Sequence, residues 1–287
     1  MAIADVIGKV YSSQVLTGVT QNTSLVSLSK DRSNEIRGGG DGVIFANASG
    51  LVAVGDYPTN GNITYTGLSP TGVTIALDKK KYVACQLEDI DNVQLQFDLL
   101  AEAAREGGKD LGKQMTADFR TAIAGETIPS GQKNSLEKAK PAATAEERLQ
   151  IHLLVLTMAT QFKTLGYENP YLICHPALWF ELIRYTVEDA SAGIVAQREQ
   201  AFRDATLSNL YGIDIIPDWG AGAITAAAHK SYGGVRNRTL AHAIQLRKTE
   251  SIRHQGRFLT RWRQLVMYGM VVGELDSLHS IEITSAS

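Results

Sequence analysis

Apolar side chains recur at intervals of three and four between Glu88 and Gly125: Ile90, Val93, Phe97, Leu100, Ala104, Gly108, Leu111, Met115, Phe119 and Ala122. That spacing lays one stripe along a helix and predicts a spine over about residues 88–124, with Phe97, Leu100, Leu111, Met115 and Phe119 as its buried core. The carboxylates of Glu88, Asp89 and Asp91 suit the start, where free N–H groups and the positive end of the dipole lie. Gly125 suits the end. Such a helix would run roughly 50 Å, longer than a small domain is wide. Gly107 and Gly108 interrupt the stripe, at about 1 kcal/mol each relative to Ala. The pattern allows two shorter helices meeting there, or one helix bent or closely approached at the glycines.

On either side of the spine the periodicity changes. Residues 3–16 place Ile3, Val6, Ile7 and Val10 on one side of a short helix, and a Ser/Thr/Asn-rich stretch runs from there to the glycine cluster at 38–42. This predicts an arm with no core of its own. From Val43 to Glu88, GVIFANASGLVAVGDY and TGVTIALDKKKYVACQLE are β-branched and partly alternating, joined by a segment rich in turn residues. They predict a long two-stranded excursion. A lone hairpin is marginally stable in water, and no other segment is left to cover it, so its apolar residues require a foreign surface.

Beyond the spine, IPSGQKNSLEKAKPA reads as a polar linker. A second helix opens on the capping box formed by Thr144 and Glu147 and stops at Gly166. YLICH (171–175) is a buried strand, and Pro176 opens the helix PALWFELIRY. A third helix is expected over 195–210, followed by the strand IDIIP; this alternation predicts an α/β layer. Residues 218–234 carry little periodic signal. From Thr239 onward the chain is strand-like: LAHAIQL, RFLTRWRQLVMYGMVVG and HSIEI.

The composition, 44% hydrophobic and 20% charged over 287 residues, is that of a globular chain able to bury a core in one large or two ordinary domains. No run of 18 apolar residues predicts a membrane span, and MAIADVIGKV has no secretory pattern. The sequons at Asn22, Asn47, Asn62 and Asn237 are therefore expected to be incidental. Cys85 and Cys174, among apolar neighbours, are expected as free thiols. A net charge of −2 argues against a dedicated nucleic-acid binder but leaves local patches open.

Catalytic patterns are missing from the sequence. RGGGDG lacks the GK[ST] ending of a phosphate loop, and an apolar run follows it where a helix N-terminus should stand. The histidines at 152, 175, 229, 242, 254 and 279 show no metal-ligand spacing, and no GxSxG elbow occurs. Asp89 and Asp91, two residues apart, would diverge on a helix and fit capping better than acid–base work. No catalytic residue, cofactor or metal is assigned. The one charge concentration lies between Arg247 and Arg263, six Lys/Arg against Glu250 alone. Arg257, Arg261 and Arg263 share one face of a regular strand, with Phe258 and Trp262 on the other. Together with Arg253 they are candidate inter-subunit or lumen-facing charges, made for ion pairing between subunits or for sequence-independent contact with nucleic acid.

The order of these parts resembles the major capsid protein of tailed bacteriophages, of the Hong Kong 97 type (HK97-like). KYVACQLEDID (81–91), where a strand passes into the spine, carries the resemblance most specifically. YLICHPALWFELI (171–183), YGIDIIP (211–217), and Glu250 and Arg253 followed by Phe258 and Tyr268-Gly269 add to it. The resemblance implies an α+β capsid fold. Its parts would be an N-arm (1–40), an E-loop (41–87), a P-domain (88–140 and 246–268) and an A-domain (141–245 and 269–287). It implies a non-enzymatic shell protein forming hexamers and pentamers around double-stranded DNA, with N-arm and E-loop overlapping neighbouring subunits. Its partners would be a separate scaffolding protein and a portal, with assembly in the host bacterial cytoplasm and no membrane. No scaffolding segment precedes the arm, which implies a separate scaffold or a mature product. The loop tip from Gly55 to Leu77 contains no Lys, so a shell without covalent cross-links is expected. An encapsulin-like compartment of the same fold is the near alternative, and an unrelated α/β enzyme the remote one.

Overall fold

A computed structural model describes residues 15, 25–36, 42–47, 71–88, 99–138, 144–185, 209–223, 228–253, 255–256 and 258–285. Twelve strands and three α-helices are formed among them. The strands are β1 (Lys30–Asp31), β2 (Gly42–Asn47), β3 (Thr71–Ala76), β4 (Lys79–Glu88), β5 (Lys133–Lys138), β6 (Pro170–Cys174), β7 (Asn209–Leu210), β8 (Ile213–Pro217), β9 (His229–Val235), β10 (Leu240–Arg253), β11 (Leu259–Val272) and β12 (His279–Ser285). The helices are α1 (Leu99–Gly125), α2 (Ala145–Thr164) and α3 (Pro176–Arg184).

The spine is α1, and its described part starts later than the periodicity suggested. Glu88, expected in the first turn of the helix, belongs instead to β4, where it pairs with Leu259 of β11. Residues 89–98, including Phe97, lie outside the described residues. Gly107 and Gly108 sit inside one continuous helix. A Cβ on Gly107 would stand 2.4 Å from Val83 Cγ1, and one on Gly108 2.3 Å from the Val15 carbonyl oxygen. The glycines let β4 and the segment at Val15 approach the spine closely, which repays their propensity cost.

Strand order is β1-β10-β11-β4 in one sheet and β5-β12-β9-β6-β8-β7 in the other, with β2 and β3 as a two-stranded ribbon. The helix α1 bridges the two larger sheets. Leu111, Met115, Phe119 and Ile123 share one core with Trp262, Val266 and Tyr268 of β11 and with Tyr171, Ile173 and Tyr232 of the six-stranded sheet. Because side chains alternate along a strand, Leu172 and Cys174 of β6 point to the opposite face. There they meet Ile151, Val155, Met158 and Phe162 of α2 and Leu178 and Leu182 of α3. The six-stranded sheet is thus a middle layer between α1 and the α2–α3 pair.

Several local expectations are met. Thr144 and Glu147 form the reciprocal capping box of α2, and Pro176 stands in the first turn of α3. The parallel pairing of β6 with β8 gives the strand–helix–strand layer.

Others are corrected. The expected polar linker contains β5, which pairs in parallel with β12; its exposure alternates, but Leu136 is its one apolar residue, so the alternation leaves no hydrophobic signal. The unpatterned stretch 218–234 holds most of β9, a strand buried on both faces and so without polar–apolar alternation. Asn209 and Leu210, assigned to a helix, form β7, and the rest of that helix lies outside the described residues. In the arm, Leu25, Val26 and Leu28 are buried in the core with α1, so this segment packs on the body; the helix expected over 3–16 is described only at Val15. The expected long hairpin is split as well. Only β3 pairs with β2, while β4 joins β11. At its base Val43, Ile75 and Leu77 are covered by Ala241, Ala243 and Met267 of the same chain, so this end needs no foreign surface. Residues 48–70 lie outside the described residues, while Leu77, expected in the loop tip, belongs to the base.

Candidate assembly surface

The strands β10 and β11 form an antiparallel ribbon of 14 residues each, flanked by β4. One face of the ribbon rests on α1 through Trp262 and Val266. The other is divided in two. Toward the body, Met267 is covered by the base of the β2–β3 ribbon, and Gly269 lies so close to it that a Cβ would meet the Ala76 oxygen at 1.9 Å. Farther out, that same face is open.

The register arranges this open face as three rows across the sheet: Lys248, Leu265 and Tyr82; Glu250, Arg263 and Ala84; Ile252, Arg261 and Gln86. A register shift between Leu246 and Lys248 makes the pattern possible. Arg247 is the extra residue, so the odd-numbered positions of β10 that face the ribbon base give way to even-numbered ones beyond it. Glu250 thereby lies opposite Arg263, and Arg263 Nε donates to Glu250 Oε2 over 2.6 Å. Lys248 pairs with the other carboxylate oxygen. Hydrogen bonds from Lys248 and then Arg263 hold the Glu250 carboxyl below its ordinary pKa.

Large apolar side chains stand among these charges. Tyr82 is 78% exposed, Ile252 47% and Leu265 37%, and Phe258, just before β11, is 77% exposed. A depression of about 500 Å³ opens between Tyr82, Ala84, Lys248, Glu250, Arg263 and Leu265. A second of about 380 Å³, beside Gln86, Ile252 and Arg261, shares the Ala84 and Arg263 walls. Ala84 is the small residue that makes the floor. Contiguous apolar exposure of this kind, rimmed by charge, marks a surface made to be covered.

The candidate residues fall into two groups. Leu111, Met115 and Phe119 are buried, at 6%, 0% and 1% exposure; Leu100 lies in the first turn of α1. Arg253, Arg261 and Arg263 are exposed, and Arg261 and Arg263 share the open face. Arg257 lies outside the described residues. Trp262 is buried on the opposite face as expected, whereas Phe258 precedes β11 and is exposed. Sequence reasoning missed Tyr82, Ile252 and Leu265, because a register is needed to bring three strands into one face. Parity along β4 alone, with Lys80, Tyr82, Ala84 and Gln86 on one side, was the only signal available.

No group of three or more metal-ligating side chains occurs among the described residues. Cys85 and Cys174 are free, and burial pushes both thiols upward in pKa. His152 stands beside the Leu182 carbonyl and His242 beside the Ser29 hydroxyl. Both rings are buried, at 1% and 5% exposure.

The sequence matches the family model described as phage capsid protein over residues 69–277. The chain belongs to the phage capsid protein family. It is a structural major capsid protein of the virion, with the HK97-like α+β fold. No curated protein matches the chain in sequence. Among solved structures, that of Mycobacterium phage Che8 is similar at 18% identity and a TM-score of 0.61, covering 91% of this chain and 90% of the other. The capsid of cyanophage P-SCSP1u is similar at 15% identity and a TM-score of 0.63, covering 92% and 88%. A virus-like particle from Pyrococcus furiosus shares the fold at 13% identity and a TM-score of 0.53, covering 94% and 96%.

Proposed function

We propose that this capsid protein is a non-enzymatic coat subunit, assembling into hexamers and pentamers of an icosahedral head around double-stranded DNA. The observation that carries the reading is the open ribbon face, an apolar and arginine-rich surface on a chain of a shell-forming family. In this reading residues 1–40 serve as N-arm and 41–87 as E-loop. The P-domain comprises 88–140 with 246–268, and the A-domain 141–245 with 269–287. The base of the E-loop is held by its own chain, and the open ribbon face is where a neighbouring subunit docks, with Arg253, Arg257, Arg261 and Arg263 as the candidate inter-subunit charges. A separate scaffolding protein and a portal complete the assembly in the host cytoplasm, and the DNA is enclosed without sequence readout.

A compartment shell is the second reading, favoured by the likeness to the Pyrococcus furiosus particle; the match to the phage family places it second. Negative-stain microscopy of the expressed chain tests the reading. Shells, or hexameric and pentameric capsomers, are expected. A population of 31.1 kDa monomers at all concentrations and ionic strengths would overturn it.

A further inference from the structure

Where α1 crosses the six-stranded sheet, a part-buried ion pair joins them. Arg120 Nε donates to Asp218 Oδ2 and its Nη2 to Oδ1, both over 2.7 Å. The Asp218 side chain is 5% exposed. The Asp218 backbone is fixed too: its N–H donates to the Cys174 carbonyl over 2.9 Å, which ties it to the end of β6. This bidentate geometry is the strong form of a charge-assisted contact. It clasps the spine to the sheet.

His175 stands beside the clasp in a cavity of about 280 Å³ that Arg120, Asp218, His229, Lys230 and Tyr232 also line. His175 is the N-cap of α3, and its Nδ1 accepts the Ala177 N–H over 3.2 Å. Nδ1 must therefore be unprotonated, which fixes the neutral ring with its proton on Nε2. The ring stacks on His229 at 5.1 Å between centroids, and Gly222 packs so close to Nε2 that a Cβ there would stand 2.6 Å away. The titratable and charged groups of this cavity come from three elements: Arg120 from α1, Asp218 from the turn after β8, and His229, Lys230 and Tyr232 from β9. Lys230 has its own counter-charge in Glu282 at 3.8 Å.

We propose that His175 is an acid-operated release for the Arg120–Asp218 clasp, and so for the attachment of the spine helix to the six-stranded sheet. A proton arriving at Nδ1 removes the acceptor that caps α3. It also sets an imidazolium in the cavity that the Arg120 guanidinium and the Asp218 carboxylate line together. Asp218 is then shared by two cations, and the bidentate bond to Arg120 loosens. Burial lowers the His175 pKa from its ordinary value of 6.5, and Arg120 adds to this against the Ala221 carbonyl and the Asp218 charge. The closed arrangement thus binds a proton less readily than the open one. Linkage therefore favours closure above the ordinary imidazole range and opening as pH falls through it.

Amide exchange of the full chain, free and assembled, tests this when rates are divided by their intrinsic pH dependence. In the C-terminal half of α1 and the first turn of α3, exchange should speed by about tenfold between about pH 7.5 and about pH 5. His175→Asn keeps a capping side chain without a titrating group, and it should abolish the acceleration. Asp218→Asn should give fast exchange in α1 at both pH values. Acceleration that persists in His175→Asn, or is absent from the parent chain, overturns the proposal. Should His175→Asn fail to fold, the His175 titration in the parent chain, followed by NMR, replaces it. A midpoint that does not coincide with that of the exchange change also overturns the proposal.

Discussion

The Tyr268 hydroxyl donates to the Asp118 carboxylate over 2.7 Å, joining β11 to the spine at the edge of the core. Tyr268 is fully buried, and burial together with the facing carboxylate pushes its pKa upward, so it remains a donor at every working pH. Hydrogen bonds to charged groups contribute about 1.5–3 kcal/mol. Tyr268→Phe should lower unfolding free energy by about that amount without changing the core volume. Denaturant titration checks it; an unchanged midpoint would show that Asp118 finds water or another partner at no cost.

Truncation inside the spine stripe should cost more. Met115→Ala and Phe119→Ala each remove a buried side chain from the core that serves both sheets, and should destabilise by about 2–5 kcal/mol. Leu111→Asp should be worse, because it leaves an unpaired charge there. A variant Leu111→Asp that assembles and melts like the parent would refute the placement of the stripe.

The open ribbon face separates folding from assembly. Leu265→Asp and Arg261→Ala should leave the free chain folded, since both side chains point away from α1, while weakening shell formation. Light scattering across a salt series checks this, with the Arg261→Ala defect deepening as salt screens the remaining pairs. Normal empty shells that fail only in DNA packaging would instead place this face toward the lumen, and counting empty and filled particles distinguishes the two.

His279 predicts acid sensitivity of the fold itself. It is buried against Phe162, with ring centroids 4.4 Å apart, and neither ring nitrogen has a hydrogen-bond partner among the described residues. Burial lowers its pKa from 6.5 to about 4. The unfolded chain therefore takes up a proton first as pH falls. Stability from this group is complete above about pH 6.5 and is lost between there and about pH 4, by about 3 kcal/mol in all. His279→Leu should flatten the global unfolding free energy over that window; an unchanged slope would exclude His279 as its source.

Covalent chemistry should play no part in holding the shell. Lys79, Lys80 and Lys81 lie in β4, and no Lys occurs from Gly55 to Leu77. Denaturing electrophoresis of mature particles should give one band near 31.1 kDa. A ladder that survives SDS and reductant would contradict this.

Much of this architecture could be read along the chain. The three-and-four spacing of Leu111, Met115 and Phe119 placed a long helix with one buried face, because a helix that packs on one side must repeat its apolar residues every turn. Thr144 with Glu147, and Pro176, marked helix starts, since capping is a matter of neighbouring residues. These features are local.

Tertiary structure decided whatever depends on register. The step from β3 to β4 between two sheets, the parallel seat of β5 and the doubly buried β9 all escaped periodicity, because their surroundings are supplied by distant strands. The bulge at Arg247 is invisible in sequence, yet it turns Glu250 toward Arg263 and so neutralises part of an arginine cluster that composition alone left unmatched. Arg120 and Asp218, 98 residues apart, carry no sequence signal as a pair. Only when the spine crosses the six-stranded sheet do two ordinary side chains come close enough, in a site dry enough, to bond through both oxygens.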